Sequence, residues 1–208
     1  ECVKLENTNQ YIMNCFYLFD CDKESEVIAQ SKGYKKSKIF KYYGLRSLEK
    51  EIPQLSLPFR FQIKSIETEE EIVQRANLNG LVGKEVTPEQ YQYFMKHAIN
   101  YRQDLDLIVV DPLGKVAGFC TCWYDAMCQV GMFEAYAVDY AYLRRGLGRN
   151  LLYEGMRRLL ALGCHSVYVS HSGLIIGDSD SSLALNENVG FRQVRNQYIW
   201  TKRLNSDL

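Results

Sequence analysis

The sequence predicts an α+β fold, a mixed and mostly antiparallel sheet with helices on both faces. Three observations predict it. Two helical stretches open the second half of the chain, and the helical period then gives way to three β-rich runs. A long amphipathic helix comes next and separates the third strand from a fourth.

Taken in order, residues 11–20 (YIMNCFYLFD) form a strand-like apolar run. Residues 27–48 can be laid on 184–204, with Gly33-Tyr34 against Gly190-Phe191, a faint internal repeat. The stretch around Pro53 and Pro58 (EKEIPQLSLPFRF) is the expected connection between the two parts of the chain. Residues 66–80 carry acids in the first turn, apolar residues at helical spacing and a closing Gly80, which predicts a helix. In 87–101, Thr87 is the expected N-cap and Pro88 the first helical residue, with Glu89 beside it. Residues 105–111 (LDLIVVD) and 116–124 flank the turn Pro112-Leu113-Gly114-Lys115 and predict a hairpin. Residues 131–139 (GMFEAYAVD) are the third strand. The loop YAYLRRGLG then enters a helix whose stripe is Leu147, Leu151, Leu152, Met156, Leu159 and Leu160, stopped at Gly163. Residues 165–170 predict a strand, residues 178–182 offer several N-caps for the short helix LALNENVG, and 191–202 close as one or two strands.

Composition bounds the function. The 208 residues carry 25 Lys+Arg against 25 Asp+Glu, a balance that argues against nonspecific binding along nucleic acid. With 47% hydrophobic and 24% charged residues the chain matches globular averages, which excludes a disordered protein. No apolar run approaches the ~20 residues needed to span a bilayer. The seven cysteines are irregularly spaced without a CxxC pair, so they are expected to be reduced thiols of a cytoplasmic protein, and no metal site is expected. The opening ECVKLENTNQ does not read as a secretory leader, and a chain that does not begin with Met is expected to be a fragment or a processed form.

The densest chemical signal is Arg144-Arg145-Gly146-Leu147-Gly148-Arg149, between a strand and a helix start. Glycines there permit a tight turn and close approach of a ligand to the backbone. The first-turn N–H groups of a helix lack intrahelical partners, and the macrodipole adds about half a positive charge. Arg149 has the wrong sign for a helix start unless an anion is bound, and a pyrophosphate is the obvious candidate. The Walker pattern GxxxxGK(S/T) is absent, and a Rossmann GxGxxG fails at Leu151.

These residues resemble the signature of the Gcn5-related N-acetyltransferases (GNAT), Gln/Arg-x-x-Gly-x-Gly/Ala, with Leu143 where the family has Gln or Arg. The resemblance continues through Ala137-Val138-Asp139 and through LALNENVGF, spans roughly residues 60–204, and is similar in wording to the second domain of bacterial tandem GNAT proteins. It implies the GNAT acyl-CoA N-acyltransferase fold, with 60–208 as the acetyltransferase domain and 1–52 as a partial second module or an extension. It also implies acetyl-CoA as cosubstrate: pantetheine along Ala137 and Val138, pyrophosphate on Arg144, Arg145, Gly146, Leu147, Gly148 and Arg149, and a direct attack by an amine. Glu134, four residues before Val138, is the implied base, and a carboxylate facing an aromatic-lined cleft suits that task. The family commonly has a Tyr acid where this chain has Asn186, which can only donate a hydrogen bond to the sulfur. Tyr136, on the face of Glu134 by period two, is a substitute acid or a packed aromatic. Asp125 borders the expected acceptor cleft and is a candidate reader of a cationic amine.

The expected partner is therefore a small-molecule or peptide amine, with neither nucleic acid nor membrane, and a paired edge strand would make a homodimer. A rival reading is a catalytically degenerate acyl-CoA-binding sensor or scaffold, favoured by Asn186 and the incomplete N-terminal half. A lysine-rich RNA-binding protein fits poorly with zero net charge.

Overall fold

The computed structural model describes residues 3–4, 11–172 and 179–203, and these divide into two compact units. The first unit holds the described parts of 1–44, 170–184 and 192–208. Its strands β1 (Val3–Lys4), β2 (Tyr11–Phe19), β9 (Arg192–Arg203) and most of β3 (Lys35–Ser47) are neighbours in that order. β2 and β9 are antiparallel with Phe16 opposite Trp200. Their rings stack 6.5 Å apart, and Tyr34 meets Phe16 edge-on at 4.8 Å. Residues 191–202 are thus covered by a single strand, not two. Helix α1 (Lys23–Ser31) starts at Asp22, whose carboxylate accepts from the Ser25 N–H.

The faint repeat has a geometric counterpart. After α1 the Gly33 N–H donates to the Gln30 carbonyl and the Tyr34 N–H to Ala29. After α5 (Ser179–Asn188) the Gly190 N–H donates to Glu187 and the Phe191 N–H to Asn186, the same helix stop leading into a strand. The caps expected at 178–182 lie largely outside the described residues.

The second unit holds residues 45–169 and 185–191. Its strands run in the order β4 (Gln62–Ser65), β5 (Asp106–Val110), β6 (Val116–Asp125), β7 (Val130–Val138) and the first part of β8 (Ser166–Ser172). All pair antiparallel except β7 with β8, which are parallel. Parallel neighbours need a crossover, supplied here by α4 (Leu147–Ala161). Alternation on the strands makes two cores. Leu107, Val109, Cys120, Cys122 and Phe133 face α4, where Leu147, Leu151, Leu152, Met156 and Leu159 are buried, each worth about 1.5–3 kcal/mol. Ile108 and Phe119 face the other way, toward the 3-10 turn Leu78–Val82 that succeeds α2 (Glu69–Asn77). The mixed, mostly antiparallel sheet covered on both faces is therefore present.

Local chemistry sets the helix starts. Thr68 with Glu71 and Thr87 with Gln90 form reciprocal capping boxes, and Pro88 opens α3 (Pro88–His97). The short β1 and β4 were outside the sequence expectation. So was the fate of the connection around Pro53: Arg157 donates to the Pro53 carbonyl, Asn150 brackets Ser56, and Ile52 and Leu57 pack on the core. Among the described residues no helix is long and apolar enough to cross a membrane.

Candidate active site

The loop 139–146 carries the chain from β7 to α4. Asp139 caps a short turn, accepting from the Ala141 N–H. Arg144 sits in the left-handed region at φ +63°, a conformation that costs a non-glycine residue about 1–3 kcal/mol and concentrates at functional sites. Gly146 comes two residues later at φ +76° as the helix N-cap and offers no side chain to the first turn. The first helical bond runs from the Asn150 N–H to the Gly146 carbonyl at 3.1 Å, which leaves the N–H groups of Leu147, Gly148 and Arg149 without intrahelical partners. Arg144, Arg145 and Arg149 are all exposed around this end, with Arg145 over the Tyr142 ring at 5.4 Å. Gly148 serves packing more than ligand approach: a Cβ there would lie 3.2 Å from Leu185 and 3.6 Å from Val138.

Asn150 was not singled out from the sequence, yet it ties this loop down. Its Nδ2 donates to the carbonyls of Gly146 (2.8 Å) and Ser56 (3.1 Å), and its Oδ1 accepts from the Ser56 N–H (2.8 Å). The available signal was an Asn next to Leu151 in the buried stripe of an amphipathic helix. Asn150→Ala would leave buried backbone groups unpaired, and we expect a loss of about 1–3 kcal/mol in urea unfolding. A change below about half a kcal/mol would contradict this role.

Strand β7 is open beyond Phe133. Its parallel pairing with β8 ends at Phe133 opposite Val169, while its pairing with β6 continues to Val138. Residues 134–138 thus present one backbone edge with no ladder partner among the described residues, and Ala137 and Val138 lie on it. In the same place β7 is bulged: Cys120 pairs with Tyr136 and Cys122 with Phe133, so Glu134 and Ala135 together oppose Thr121. The Glu134 carbonyl accepts from the Trp123 indole at 2.6 Å, which holds the bulge.

The bulge corrects one expectation. An extra residue breaks the period of two, so Glu134 and Tyr136 do not share a face. Glu134 and Ala135 line a cleft of about 450 Å³ on the α2–α3 side, whereas Tyr136 packs against the α4 core. There the Tyr136 hydroxyl donates to Asn186 Oδ1 at 2.8 Å, and burial pushes the phenol well above its ordinary range. Asn186 is only 2% exposed, and its Nδ2 has no partner among the described residues. Tyr136, the candidate acid, and Asn186, the candidate donor to the sulfur, therefore sit together, on the face opposite Glu134.

The cleft floor is a buried polar network that the sequence did not announce. Arg75 stacks on Phe119 at 3.3 Å and donates to Asn79 (2.7 Å) and Thr121 (3.1 Å). Thr121 in turn donates to Asp106 Oδ1 at 2.9 Å. Asp106 Oδ2 accepts from Tyr91 and, at 3.1 Å, from Tyr101. The 3.9 Å from Arg75 Nε to Asp106 is an electrostatic contact too long for a hydrogen bond, and Nε has no other partner among the described residues. At the rim, Lys84 Nζ lies 3.5 Å from Glu134 Oε1. Asp125 is elsewhere: it accepts from the N–H groups of Met127 and Cys128 in the β6–β7 turn, and those bonds lower its pKa. Cys120 and Cys122 are buried with sulfurs 3.9 Å apart, behaving as small hydrophobes, and burial raises the Cys122 thiol.

An open strand edge thus leads toward an uncapped, arginine-flanked helix start, with a carboxylate-bearing cleft at the bulge, on an α+β fold. Residues 67–175, just over half of the chain, match the acetyltransferase (GNAT) family, and the chain belongs to that family. No curated protein matches the chain in sequence. Among solved structures it is similar to a Gcn5-related N-acetyltransferase from Sphaerobacter thermophilus, with TM-score 0.71, 15% identity, 96% of this chain and 62% of that chain. A tandem GNAT protein from the clavulanic acid biosynthesis pathway, in a form without acetyl-CoA, has TM-score 0.69, 14% identity, 93% of this chain and 65% of that one. A GNAT-family acetyltransferase from Colwellia psychrerythraea has TM-score 0.65 and 9% identity over 89% of this chain and 64% of that one. At these identities the likeness is one of fold, and the chain spans less than two thirds of each of the three structures.

Proposed function

We propose that this chain is an acetyl-CoA-dependent N-acetyltransferase that moves an acetyl group directly to an amine. The observation that carries the reading is the open edge of β7 at 134–138, continuous with the unpartnered N–H groups at the start of α4. The residues fit the cosubstrate. A pantetheine arm can add to that edge as a strand would, bonded to the backbone of Ala137 and Val138. Its pyrophosphate would take the N–H groups of Gly146, Leu147, Gly148 and Arg149, with Arg144, Arg145 and Arg149 supplying charge. Asn186 carries a buried Nδ2 without a partner among the described residues, a donor that a bound group would satisfy.

Acetyl-CoA supplies the acetyl group as an activated thioester; the chain binds, orients and moves protons. Glu134 accepts the proton from the amine in the cleft, held there by its own bulge and the Trp123 indole. Asn186, oriented by Tyr136, donates to the sulfur, so the leaving thiolate takes its proton from water. We place residues 60–208 in the catalytic module and read 1–52 as part of a second one, supported by the matching helix stops at Gly33 and Gly190. Cys21, Cys120, Cys122, Cys128 and Cys164 are free thiols, which supports a cytoplasmic setting.

Calorimetric titration with acetyl-CoA and with CoA tests the site. We expect both to bind, and Arg145→Glu to weaken binding at least tenfold, about 1.4 kcal/mol. No binding, or equal affinity in the variant, would remove the pyrophosphate from this loop. The buried Tyr136–Asn186 pair also favours a second reading, an acyl-CoA-binding module without turnover, which binding without transfer to any amine would establish.

A further inference from the structure

The cleft beside Glu134 lies at the bulge of β7. Its volume of about 450 Å³ is in the range of small-molecule sites. Its walls are apolar, with Tyr91, Phe94 and Met95 from α3 facing Trp123 and Met132 from the sheet. Its ionisable lining includes Arg75, Lys84 and Glu134. Arg75 is answered by the fully buried Asp106 beneath the lining, which leaves Lys84 and Glu134 as the charges at the rim, one of each sign. A polyamine or aminoglycoside would bring several ammonium groups to a rim that offers one carboxylate and already holds a Lys. Lys84 and Glu134 face each other across the rim at 3.5 Å, with side chains 57% and 31% exposed, and so long and wet an ion pair is readily exchanged for new partners.

Resting on the acetyltransferase reading above, we propose that the acceptor is a zwitterionic amine with a large apolar group, a hydrophobic α-amino acid. Its ammonium takes Glu134, its carboxylate takes Lys84, and its side chain fills the apolar cleft. The four charges then alternate in sign around the rim, and Lys84 is the residue that selects for the carboxylate. In the reaction the amine nitrogen forms a bond to the acetyl carbon as the C–S bond breaks. Two protons leave the nitrogen: one passes through Glu134 to solvent, and the balance is closed by one gained at the CoA thiol.

The test compares L-phenylalanine, phenethylamine (the same amine without the carboxylate) and spermidine, with acetylated product read by mass spectrometry. We expect kcat/KM for phenylalanine to exceed that for phenethylamine at least tenfold, with spermidine poorest. The phenylalanine-to-phenethylamine ratio should fall toward one in Lys84→Ala and below one in Lys84→Glu. Equal rates for the first two, a preference for spermidine, or a ratio that survives both variants would overturn the assignment. If acetyl-CoA binds and none of the three is acetylated, the result counts against turnover and not against the cleft. The cleft is then judged by titrating phenylalanine and phenethylamine into the CoA-saturated protein: a tenfold advantage for phenylalanine that depends on Lys84 sustains the proposal, and equal or absent binding overturns it.

Discussion

Glu134→Gln is expected to lower turnover by about 10²-fold or more, the scale of a lost general base, while leaving acetyl-CoA affinity unchanged. The substitution is nearly isosteric and keeps a group able to hydrogen-bond in the cleft. The Trp123 indole bonds to the Glu134 backbone carbonyl, so the bulge that aims the side chain survives it. What is lost is the site that takes the amine proton, together with the negative partner of Lys84 at 3.5 Å. The effect should therefore fall on kcat. Single-turnover kinetics, paired with calorimetry for acetyl-CoA, separates chemistry from binding. A variant as fast as the parent would show that a different group, or water, accepts the proton.

How far the site was legible in the sequence depends on the range of the interactions involved. Capping at Thr87 and the turn at Pro112-Leu113-Gly114-Lys115 are decided within a few residues, and so is the glycine loop ahead of α4. Each is written locally and is legible as to type. The bulge is different. GMFEAYAVD reads as one uninterrupted strand, and only the mismatch of register with β6 shows that Glu134 and Ala135 share one opposing residue. That single insertion separates Tyr136 from Glu134 and brings it to Asn186, 50 residues on. Likewise VQRANLNG reads as a helix with a polar face, although Arg75 in it is 2% exposed. Its burial is dictated by Asp106 and Thr121, 31 and 46 residues away, and by the face of Phe119. The pairing of Phe16 with Trp200 depends on still longer range, which no local propensity encodes.

Asp106→Ala is expected to cost about 3–5 kcal/mol, the range for removing one partner of a buried ion pair. Asp106 is wholly buried at the start of β5, and four groups converge on it: the hydroxyls of Tyr91, Tyr101 and Thr121, and the Arg75 guanidinium. Deleting the carboxylate leaves three hydroxyls to find new acceptors and a buried cation whose charge is no longer opposed. Against a total stability of about 5–15 kcal/mol, that is a large fraction. The network predicts strong coupling as well. Arg75→Met removes the cation that Asp106 answers, so Arg75→Met with Asp106→Leu should be destabilised by less than the sum of the two single changes. Urea unfolding of the four proteins measures that coupling. Additive losses, or a loss below about 1 kcal/mol for Asp106→Ala, would mean that water or the hydroxyls already neutralise Arg75. The position of the network ties stability to chemistry: Arg75 and Thr121 form the floor of the cleft, and Thr121 is the residue that the bulge at Glu134 opposes. A chain that stays folded without Asp106 should therefore still bind acetyl-CoA at the start of α4 and lose acceptor discrimination first.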